Sequence, residues 1–322
     1  ASRPSRRASP TAALASLVAV LVAACSPGGP APGPEAGRAA PGRGGEVVVA
    51  SFNFPESVLV AEIYAGALEA AGVPVHRQLE LGPRELVQPA LLQGLVDVVP
   101  EYLGTALASL VAEPGVDPAD AGAVRRRLAE AVAAWDLRVL DPAPAQNQNG
   151  LAVTRATAER HGLRTLSDLS QATSAAPGGL ALSGPPECPT RAFCLPGLER
   201  VYGLRFARFV PFDSEHQRVT ALREAVVDVA VMFTTDGELA GGDLVLLEDD
   251  RHLQPVENVV PLVSASALER HGPALSGALS AVSARLTAGA LSFLNWRVAV
   301  AGRDPEAEAR GWLARQGLAG DG

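Results

Sequence analysis

Residues 46–107 alternate short apolar runs with longer helical segments, and this pattern constrains the fold more than any other feature. Val47–Ala50 is too short for a helix and apolar throughout, which is typical of a strand buried on both faces. Leu59, Ile63 and Ala67 then share one helical face. Because strands that alternate with helices are joined by right-handed crossovers, the stretch predicts an α/β fold with a parallel sheet.

Polar side chains follow the predicted strands of this stretch. Ser51 and Asn53 come after the first strand, and Glu101, Tyr102 and Thr105 come after the third. The carboxyl ends of parallel strands carry the binding crevice in open α/β sheets. We therefore expect these five residues on one rim of a ligand site.

The first long helix is predicted to begin at Pro55, whose missing N–H would have no partner in a first helical turn. Asn53 fits the cap of that helix, and this structural role is the alternative to ligand binding. Glu56 suits the positive end of the helix dipole.

An internal repeat predicts a second lobe of similar construction. Residues 90–99 (ALLQGLVDVV) resemble residues 221–230 (ALREAVVDVA), each reading as helix end, turn and strand. The second copy runs into Thr234, Thr235 and Asp236, which either bind a ligand or cap the next helix. Asp97 and Asp228 precede the two strands and are interpreted as turn caps, with a ligand role as the alternative. Two lobes whose strand ends face each other enclose a cleft, a preferred ligand site.

The Pro-rich run at residues 141–145 lies outside any periodic pattern and reads as a crossing between lobes. Residues 259–263 read as a strand that returns to the first lobe. The sequence thus predicts a first lobe of residues 46–142 and 256–322, a second lobe of residues 143–255, and two crossing segments.

The N-terminal residues read as a secretory leader. Arg3, Arg6 and Arg7 form a basic region, and the apolar run that follows is too short to span a bilayer. It ends in LVAAC, which resembles a bacterial lipobox, so residues 1–24 are predicted to be a signal peptide and Cys25 to carry lipid. An ordinary signal peptide is the alternative. Residues 25–45 are rich in Pro, Gly and Ala and are predicted to be a disordered tether that holds the protein at the outer face of the membrane.

With Cys25 assigned to the lipid, Cys188 and Cys194 remain as a pair in a loop-like segment. The extracytoplasmic compartment is oxidising, so a disulfide is predicted. Two cysteines without a nearby histidine do not suit zinc.

Composition and motifs exclude several functions. The formal net charge of −8 disfavours nucleic acid and anionic membrane surfaces as partners. The sequence has no Gly-x-Ser-x-Gly elbow, no His-Glu-x-x-His and no Walker loop. It therefore predicts a protein that is not an enzyme, with no metal site and no cofactor.

Three segments carry a family resemblance: SFNFPE at residues 51–56, LGPRELVQPAL at 81–91 and PEYLGTAL at 100–107. They resemble the quaternary-amine substrate-binding proteins of ABC importers, the receptors for glycine betaine, choline and carnitine. The resemblance runs on to about residue 318. It implies a bilobal, type II periplasmic-binding-protein-like fold and a monomeric, extracytoplasmic, solute-binding lipoprotein. Its permease and ATPase partners would be separate chains.

A quaternary ammonium cannot donate a hydrogen bond, so receptors hold it with aromatic faces that each contribute ~0.5–2 kcal/mol. In the resembled family these are mainly tyrosines, and Tyr102 matches one of them. Asn149, Leu195 and Glu257 stand where relatives often have tyrosine, a loss of ~1.5–6 kcal/mol. Either Phe52, Phe54 or Phe193 rebuilds a partial cage, or the solute is not a betaine. The candidate ligand-binding residues are Phe52, Asn53, Phe54, Tyr102, Thr105, Asn149, Thr234, Thr235, Asp236, Glu257 and Asn258.

Three readings other than betaine import stay open. The polar candidates, Asn149 and Asn258 among them, would suit a polyhydroxylated or amide-bearing solute in the same receptor. Alternatively, the protein is a ligand sensor that takes no part in transport. An enzyme on the same scaffold is the third class, since fold does not fix function.

Overall fold

The computed structural model describes residues 45–175 and 178–320. The predicted signal peptide, the predicted tether up to residue 44 and the predicted lipidation site Cys25 lie outside the described residues.

The described strands alternate with helices from the start. The strands are β1 (Val47–Ala50), β2 (Val75–Gln78), β3 (Val98–Tyr102), β4 (Leu137–Val139), β5 (Asn149–Thr154), β6 (Ala181–Gly184), β7 (Arg208–Pro211), β8 (Val229–Phe233), β9 (Leu244–Leu246) and β10 (Val259–Ser264).

Helices fill most of the connections. They are α1 (Pro55–Ala70), α2 (Arg84–Leu92), α3 (Leu103–Leu110), α4 (Ala121–Ala133), α5 (Arg155–His161), α6 (Leu166–Ala175), α7 (Leu195–Tyr202), α8 (Glu215–Arg223), α9 (Ala265–Ser283), α10 (Ala288–Asn295) and α11 (Pro305–Arg315). A 3-10 turn (Gly237–Gly241) and a π turn (Trp296–Val300) complete the set.

The strands form two sheets, and each sheet is the centre of one lobe. The first has the order β2-β1-β3-β10-β4 and the second β7-β6-β8-β5-β9. β1 pairs in parallel with β2 and β3, and β6 pairs in parallel with β7 and β8. The strands that begin after each crossing, β5 and β10, run antiparallel to β8 and β3. The parallel pairing predicted for residues 46–107 is confirmed. The sheets as wholes are mixed, because a chain that enters a lobe from the other lobe starts its strand at the opposite end.

The first lobe holds the larger hydrophobic core, and β1 is buried within it. Apolar side chains of the second lobe form two clusters, one on each face of its sheet. The chain passes between the sheets twice, from β4 to β5 and from β9 to β10. The two crossings contact each other through Asn147 N–H, which donates to Glu257 O at 3.0 Å. The residue-level lobe boundaries stay a prediction.

Asp97 and Asp228 tie matching strands in the two lobes, as the repeat predicts. Asp97 N–H donates to Val48 O at 2.8 Å, and Val48 N–H donates back to Asp97 Oδ2 at 3.0 Å. Asp228 and Ala181 exchange the same two bonds at 3.0 and 2.8 Å. Both aspartates are structural, as interpreted, but their side chains bond to the neighbouring strands β1 and β6 and do not cap the turns before them.

Helix α1 begins at Pro55, as predicted, but Asn53 does not cap it. The N-cap position is Phe54, which makes no side-chain cap bond. Asn53 is exposed, so the prediction of a cap is wrong and its side chain is free for another role. The third strand begins at Val98, after a turn at Gln93 and Gly94 and a bend at Leu95.

A disulfide joins Cys188 to Cys194, with a Cα–Cα distance of 5.2 Å, and this prediction is confirmed. Both cysteines are buried in the core of the second lobe. The loop that they close carries Arg191.

Among the described residues, no single helix has the length and apolar character needed to cross a membrane. By those two criteria alone, one pair of helical segments qualifies together, Ala265–Ser283 and Ala288–Val300, which meet at a bend of 86°.

Candidate functional site

A cavity of about 430 Å³ lies between the two lobes. The loop after β1, the end of β3 and the start of α3 form its wall in the first lobe, as the strand-end argument predicts. The opposite wall belongs to the second lobe. It consists of the disulfide loop, the end of β8 and the region around the start of α8. Aromatic and charged side chains in the cavity lining include Phe54, Tyr102, Arg218, Phe233 and Glu257.

Phe54 is the centre of an aromatic cluster that spans both lobes. Its ring centroid lies 5.8 Å from that of Phe52, 6.2 Å from that of Tyr102 and 5.8 Å from that of Phe233. Phe233 ends β8 in the second lobe, whereas the other three rings belong to the first. The cluster Phe52, Phe54, Tyr102 and Phe233 therefore gives the cavity an apolar wall made by both lobes.

Phe52 already has a cation on its ring face. The guanidinium carbon of Arg84 lies 5.2 Å from the Phe52 centroid. Arg84 also makes a two-pronged ion pair with the buried Glu101, with Nε–Oε1 and Nη2–Oε2 distances of 3.1 and 2.8 Å. Phe52 is itself buried. The rings of the cluster that remain partly open are Phe54 and Phe233.

Tyr102 is held by a buried carboxylate, Glu56. The Tyr102 hydroxyl donates to Glu56 Oε1 at 2.7 Å, and Asn147 Nδ2 donates to the same oxygen at 2.7 Å. Thr235 Oγ1 and Asn295 Nδ2 donate to Oε2. Burial raises the pKa of Glu56, and these four donors oppose that rise. Glu56 thus joins the first lobe, a crossing segment and the second lobe.

Glu257 lies on the return crossing and faces the cavity. It accepts the N–H groups of Gly104 at 3.2 Å and Thr105 at 3.0 Å, at the start of α3. Burial raises the pKa of Glu257 to about 8, and the charge of Arg84 opposes the rise. The carboxyl therefore fixes the helix start and changes protonation in a range close to neutral pH.

Arg218 is a buried cation in the second-lobe wall. Its Nε donates to Val231 O at 3.1 Å, and its Nη1 donates to Phe212 O at 3.0 Å and Asp213 O at 3.3 Å. Burial lowers the pKa of Arg218, and Glu215 and Asp236 oppose this by their charge. Its Nη2 has no hydrogen-bond partner among residues 45–175 and 178–320. The backbone bonds thus orient the guanidinium and leave one edge for a ligand.

One ion pair joins the lobes at the cavity. Arg191 in the disulfide loop contacts Glu85 in α2, with Nη2–Oε2 and Nε–Oε1 distances of 2.9 and 3.2 Å. Glu187 lies 3.8 Å from the same guanidinium. Both partners are partly exposed, so this contact between the lobes adds little free energy.

The structure brings most of the predicted ligand-binding residues together. Seven line the large cavity: Phe52, Asn53, Phe54, Tyr102, Thr105, Asn149 and Glu257. Phe193 lines it as well, whereas Leu195 packs against the second-lobe core. Thr235 and Asp236 line a smaller pocket beside it.

Thr234 and Asn258 are placed elsewhere. Thr234 exchanges hydrogen bonds with Gln148, and Asn258 Nδ2 donates to Ala143 O at 2.8 Å. Neither residue is in the lining of either pocket. Both residues thus form hydrogen bonds with the crossing segment at residues 143–148, and this contact gives them a role in joining the lobes.

Sequence reasoning missed Phe233, Arg218 and the central position of Glu56. Phe233 lies one residue before the predicted Thr234, and the rule that ligands meet strand ends applies to it equally. Arg218 had no such signal, because one arginine on a polar helix resembles any solvated arginine. No group of three or more His, Cys, Asp or Glu side chains in the described ranges is arranged to hold a metal ion.

Comparison with known families places this geometry in context. The family model described as "Substrate binding domain of ABC-type glycine betaine transport system" matches residues 45–315. The glycine betaine-binding protein YehZ of Escherichia coli is 30% identical over 84% of this chain and 90% of its own length. A glycine-betaine-binding protein of Pseudomonas aeruginosa is 30% identical over 84% of this chain and 88% of its own length.

Solved structures agree in fold. The apo structure of Escherichia coli YehZ has a TM-score of 0.61 at 29% identity, over 85% of this chain and 99% of that one. A glycine betaine/carnitine/choline ABC transporter structure has a TM-score of 0.67 at 22% identity, over 85% and 99% of the two chains. The predicted bilobal α/β fold of the type II class is confirmed.

Proposed function

Because the chain belongs to the family of substrate-binding domains of ABC-type glycine betaine transport systems, we propose that it binds a betaine-type quaternary ammonium solute between its lobes. In this proposal it is the receptor of an ABC importer and hands its solute to a permease and an ATPase on separate chains. It binds the solute without performing a reaction on it.

The observation that carries the proposal is the aromatic cluster shared by the two lobes. A trimethylammonium group presents only methyl groups to its site, so it is held by aromatic faces and by shape. Phe54 and Phe233 supply partly open rings from opposite lobes, and Tyr102 completes the wall. A solute that contacts rings of both lobes has more contacts in the closed state, and this difference in affinity favours closure.

A carboxylate on the solute has a partner in the same cavity. The free edge of Arg218 provides N–H groups in the second-lobe wall, and charge-assisted bonds of guanidinium to carboxylate are among the stronger hydrogen bonds. Arg84 and Arg191 also line the cavity, but each pairs with glutamate. We therefore assign the carboxylate to Arg218 and expect zwitterionic betaines to bind more tightly than choline, which lacks a carboxylate.

Isothermal titration of the purified chain against glycine betaine, carnitine, proline betaine and choline tests this proposal. Saturable heat with at least one betaine supports it, and the ratio of affinities for glycine betaine and choline measures the contribution of the carboxylate. The absence of heat with all four solutes would overturn the assignment of the ligand class.

A second candidate is a polyhydroxylated or amide-bearing solute in the same cavity. It is favoured by three polar side chains in the cavity lining, Asn53, Asn149 and Glu257. This solute would need acceptors and donors in place of methyl groups. Heat with polyols or amides, without heat for betaines, would select it. A sensor without transport would bind the same solutes but lack a permease partner.

We also propose that a lipid on Cys25 anchors the protein to the outer face of the cell membrane. In this proposal residues 1–24 are removed as a signal peptide, and residues 25–45 form a flexible tether. Neighbouring small residues and the lipobox-like LVAAC support this assignment. Mass spectrometry of the mature N-terminus tests it: a diacylglyceryl-modified Cys25 is expected, and a free thiol at that residue would contradict it. Size-exclusion chromatography with light scattering checks the expected monomer.

A further inference from the structure

Glu257 is a buried acid in the wall of the solute cavity. It is only 1% exposed, yet it belongs to the cavity lining. A buried carboxylate is ordinarily paired with a cation, because an isolated charge is costly away from water. The groups that face the Glu257 carboxyl therefore indicate what this part of the cavity can hold.

The other acids in the described lining are either paired or exposed. Glu85 lies 2.9 Å from the Arg191 guanidinium, and Glu187 lies 3.8 Å from it. Asp213 is exposed to solvent. Glu257 forms no ion pair with any residue that the structure describes. It is thus the buried acid of this lining that has no cation of its own.

Arg84 acts on Glu257 through its charge but is bonded elsewhere. Its Nε and Nη2 donate to Glu101 at 3.1 and 2.8 Å, and its guanidinium carbon lies 5.2 Å from the centre of the Phe52 ring. The charge of Arg84 lowers the pKa of Glu257, whereas the charge of Glu101 raises it. Because Arg84 and Glu101 form a pair without net charge, they do not supply a full counter-ion to Glu257.

Backbone donors hold the Glu257 carboxyl beside the cavity. Its oxygens accept the N–H groups of Gly104 at 3.2 Å and Thr105 at 3.0 Å. The return crossing packs so closely here that a Cβ on Gly104 would lie 2.4 Å from Pro255 Cγ. Burial is the largest effect on the carboxyl and raises its pKa to about 8, so the solute-free chain carries this group mostly protonated at pH 7.

We propose that Glu257 is a specificity-determining residue whose missing cation is the ammonium group of the solute, and that the solute binds with release of the Glu257 proton. This role rests on the proposed function, since it requires a quaternary ammonium solute. A positive charge within ~4–6 Å lowers the pKa of a carboxyl group by ~1–3. The proton passes to the buffer, and the carboxylate and the ammonium group remain as a pair.

The assignment also orients a betaine across the cleft. Tyr102 directly precedes α3 and pairs in the sheet with Val259, two residues after Glu257. A ring face and a negative charge thus lie in the same region of the lining, and both attract a cation. Arg218 in the second-lobe wall takes the carboxylate of the solute. The cavity therefore selects permanent cations and zwitterions over neutral molecules of the same shape.

The test is isothermal titration of the unsubstituted chain with choline and with glycine betaine at pH 7, in phosphate and in Tris. The two buffers differ widely in ionisation enthalpy, so the difference in heat counts the protons released. About 0.4 to 0.9 proton per bound solute is expected, and the affinity should rise about 10- to 100-fold between pH 6 and pH 9. A neutral analogue of choline, with a tert-butyl group in place of trimethylammonium, should release no proton.

Glu257→Gln keeps the shape of the side chain and removes its proton. Proton release and the rise of affinity with pH should both be lost, and the Kd for choline at pH 9 should increase about 10-fold or more. Glu159→Gln, which changes an exposed acid on α5, is the matched control and should retain both effects.

Binding of choline to the unsubstituted chain without proton release would overturn the role of Glu257, and this measurement needs no variant. Equal proton release by Glu257→Gln, or equal release with the neutral analogue, would overturn it as well. If no quaternary ammonium solute gave heat, the proposed function would fail and the role of Glu257 with it. Heat without proton release would leave the proposed function standing, so the two failures are distinguishable.

Discussion

The hydroxyl of Tyr102 donates a 2.7 Å hydrogen bond to Glu56, a residue 46 positions earlier in the chain. Tyr102 lines the solute cavity, whereas Glu56 lines the small pocket behind it. Glu56 also accepts a hydrogen bond from the Thr235 hydroxyl of the second lobe. The same carboxylate therefore orients the Tyr102 ring and contacts the opposite lobe.

Glu56→Gln is expected to destabilise the protein by about 1–3 kcal/mol, because one oxygen of a four-donor acceptor becomes an N–H₂ group that faces buried donors. Denaturant unfolding measures the change. Glu159→Gln, an exposed position on α5, is the control and should lie within about 0.5 kcal/mol of the unsubstituted chain. Equal stability of both variants would show that Glu56 does not join the segments as described.

Stability should depend on pH through Glu257. Burial raises the pKa of Glu257 from its ordinary value of 4.5 to about 8, so the folded chain binds this proton more tightly than the unfolded chain. The contribution is fully present below pH 4.5 and is lost as the pH rises through 8. Over that window the free energy of unfolding should fall by up to about 1.4 kcal/mol per pH unit from this group.

Glu257→Gln isolates this effect, since other groups titrate in both chains. The unfolding free energy of the unsubstituted chain minus that of the variant should fall steadily from pH 5 to pH 8. A difference that stays constant over this range would contradict the assigned protonation. Glu130→Gln, which changes an exposed acid, provides the flat reference.

Removing the disulfide should weaken the second lobe. Cys188→Ala with Cys194→Ala frees a short loop, and the chain-entropy model gives a loss of about 2 kcal/mol. Unfolding curves of the double variant should match those of the reduced chain, because the same cross-link is absent in both. A double variant as stable as the oxidised chain would mean that packing alone fixes this loop.

The two repeat aspartates should differ in their importance. Asp97 accepts Val48 N–H and Ser264 Oγ, the latter at 2.6 Å, and is buried, whereas Asp228 accepts Ala181 N–H and is exposed. Asp97→Ala leaves buried donors unpaired and should cost about 1–3 kcal/mol, more than Asp228→Ala. Chemical denaturation of the pair tests the ranking, and the reverse order would contradict it.

The parts of the fold that depend on local pattern could be predicted from the sequence. Alternation of apolar runs and helical faces located β1 and α1, and the repeat around Asp97 and Asp228 located the second lobe. The direction of β5 and β10 could not be read in this way, because it depends on which lobe the chain comes from. That information lies in the tertiary arrangement and in no local run of residues.

The site was predictable only in part for a related reason. Residues after strands, such as Phe54 and Tyr102, follow from the geometry of parallel sheets. The contact between Phe54 and Phe233 joins residues of different lobes, and the charge environment of Arg218 depends on burial that a polar helix does not signal. The small pocket brings Glu56, Thr235 and Asn295 together from three distant segments, and no local pattern signals that contact.

Titration of glycine betaine into the unsubstituted chain and into Phe233→Ala tests the central claim most directly. If the ammonium group contacts the Phe233 ring, the loss of that ring should raise the Kd for glycine betaine by about 2- to 30-fold. Phe293→Ala, which removes an exposed ring outside both cavities, should leave the Kd unchanged. A Kd that is equal in the unsubstituted chain and Phe233→Ala would contradict the claim.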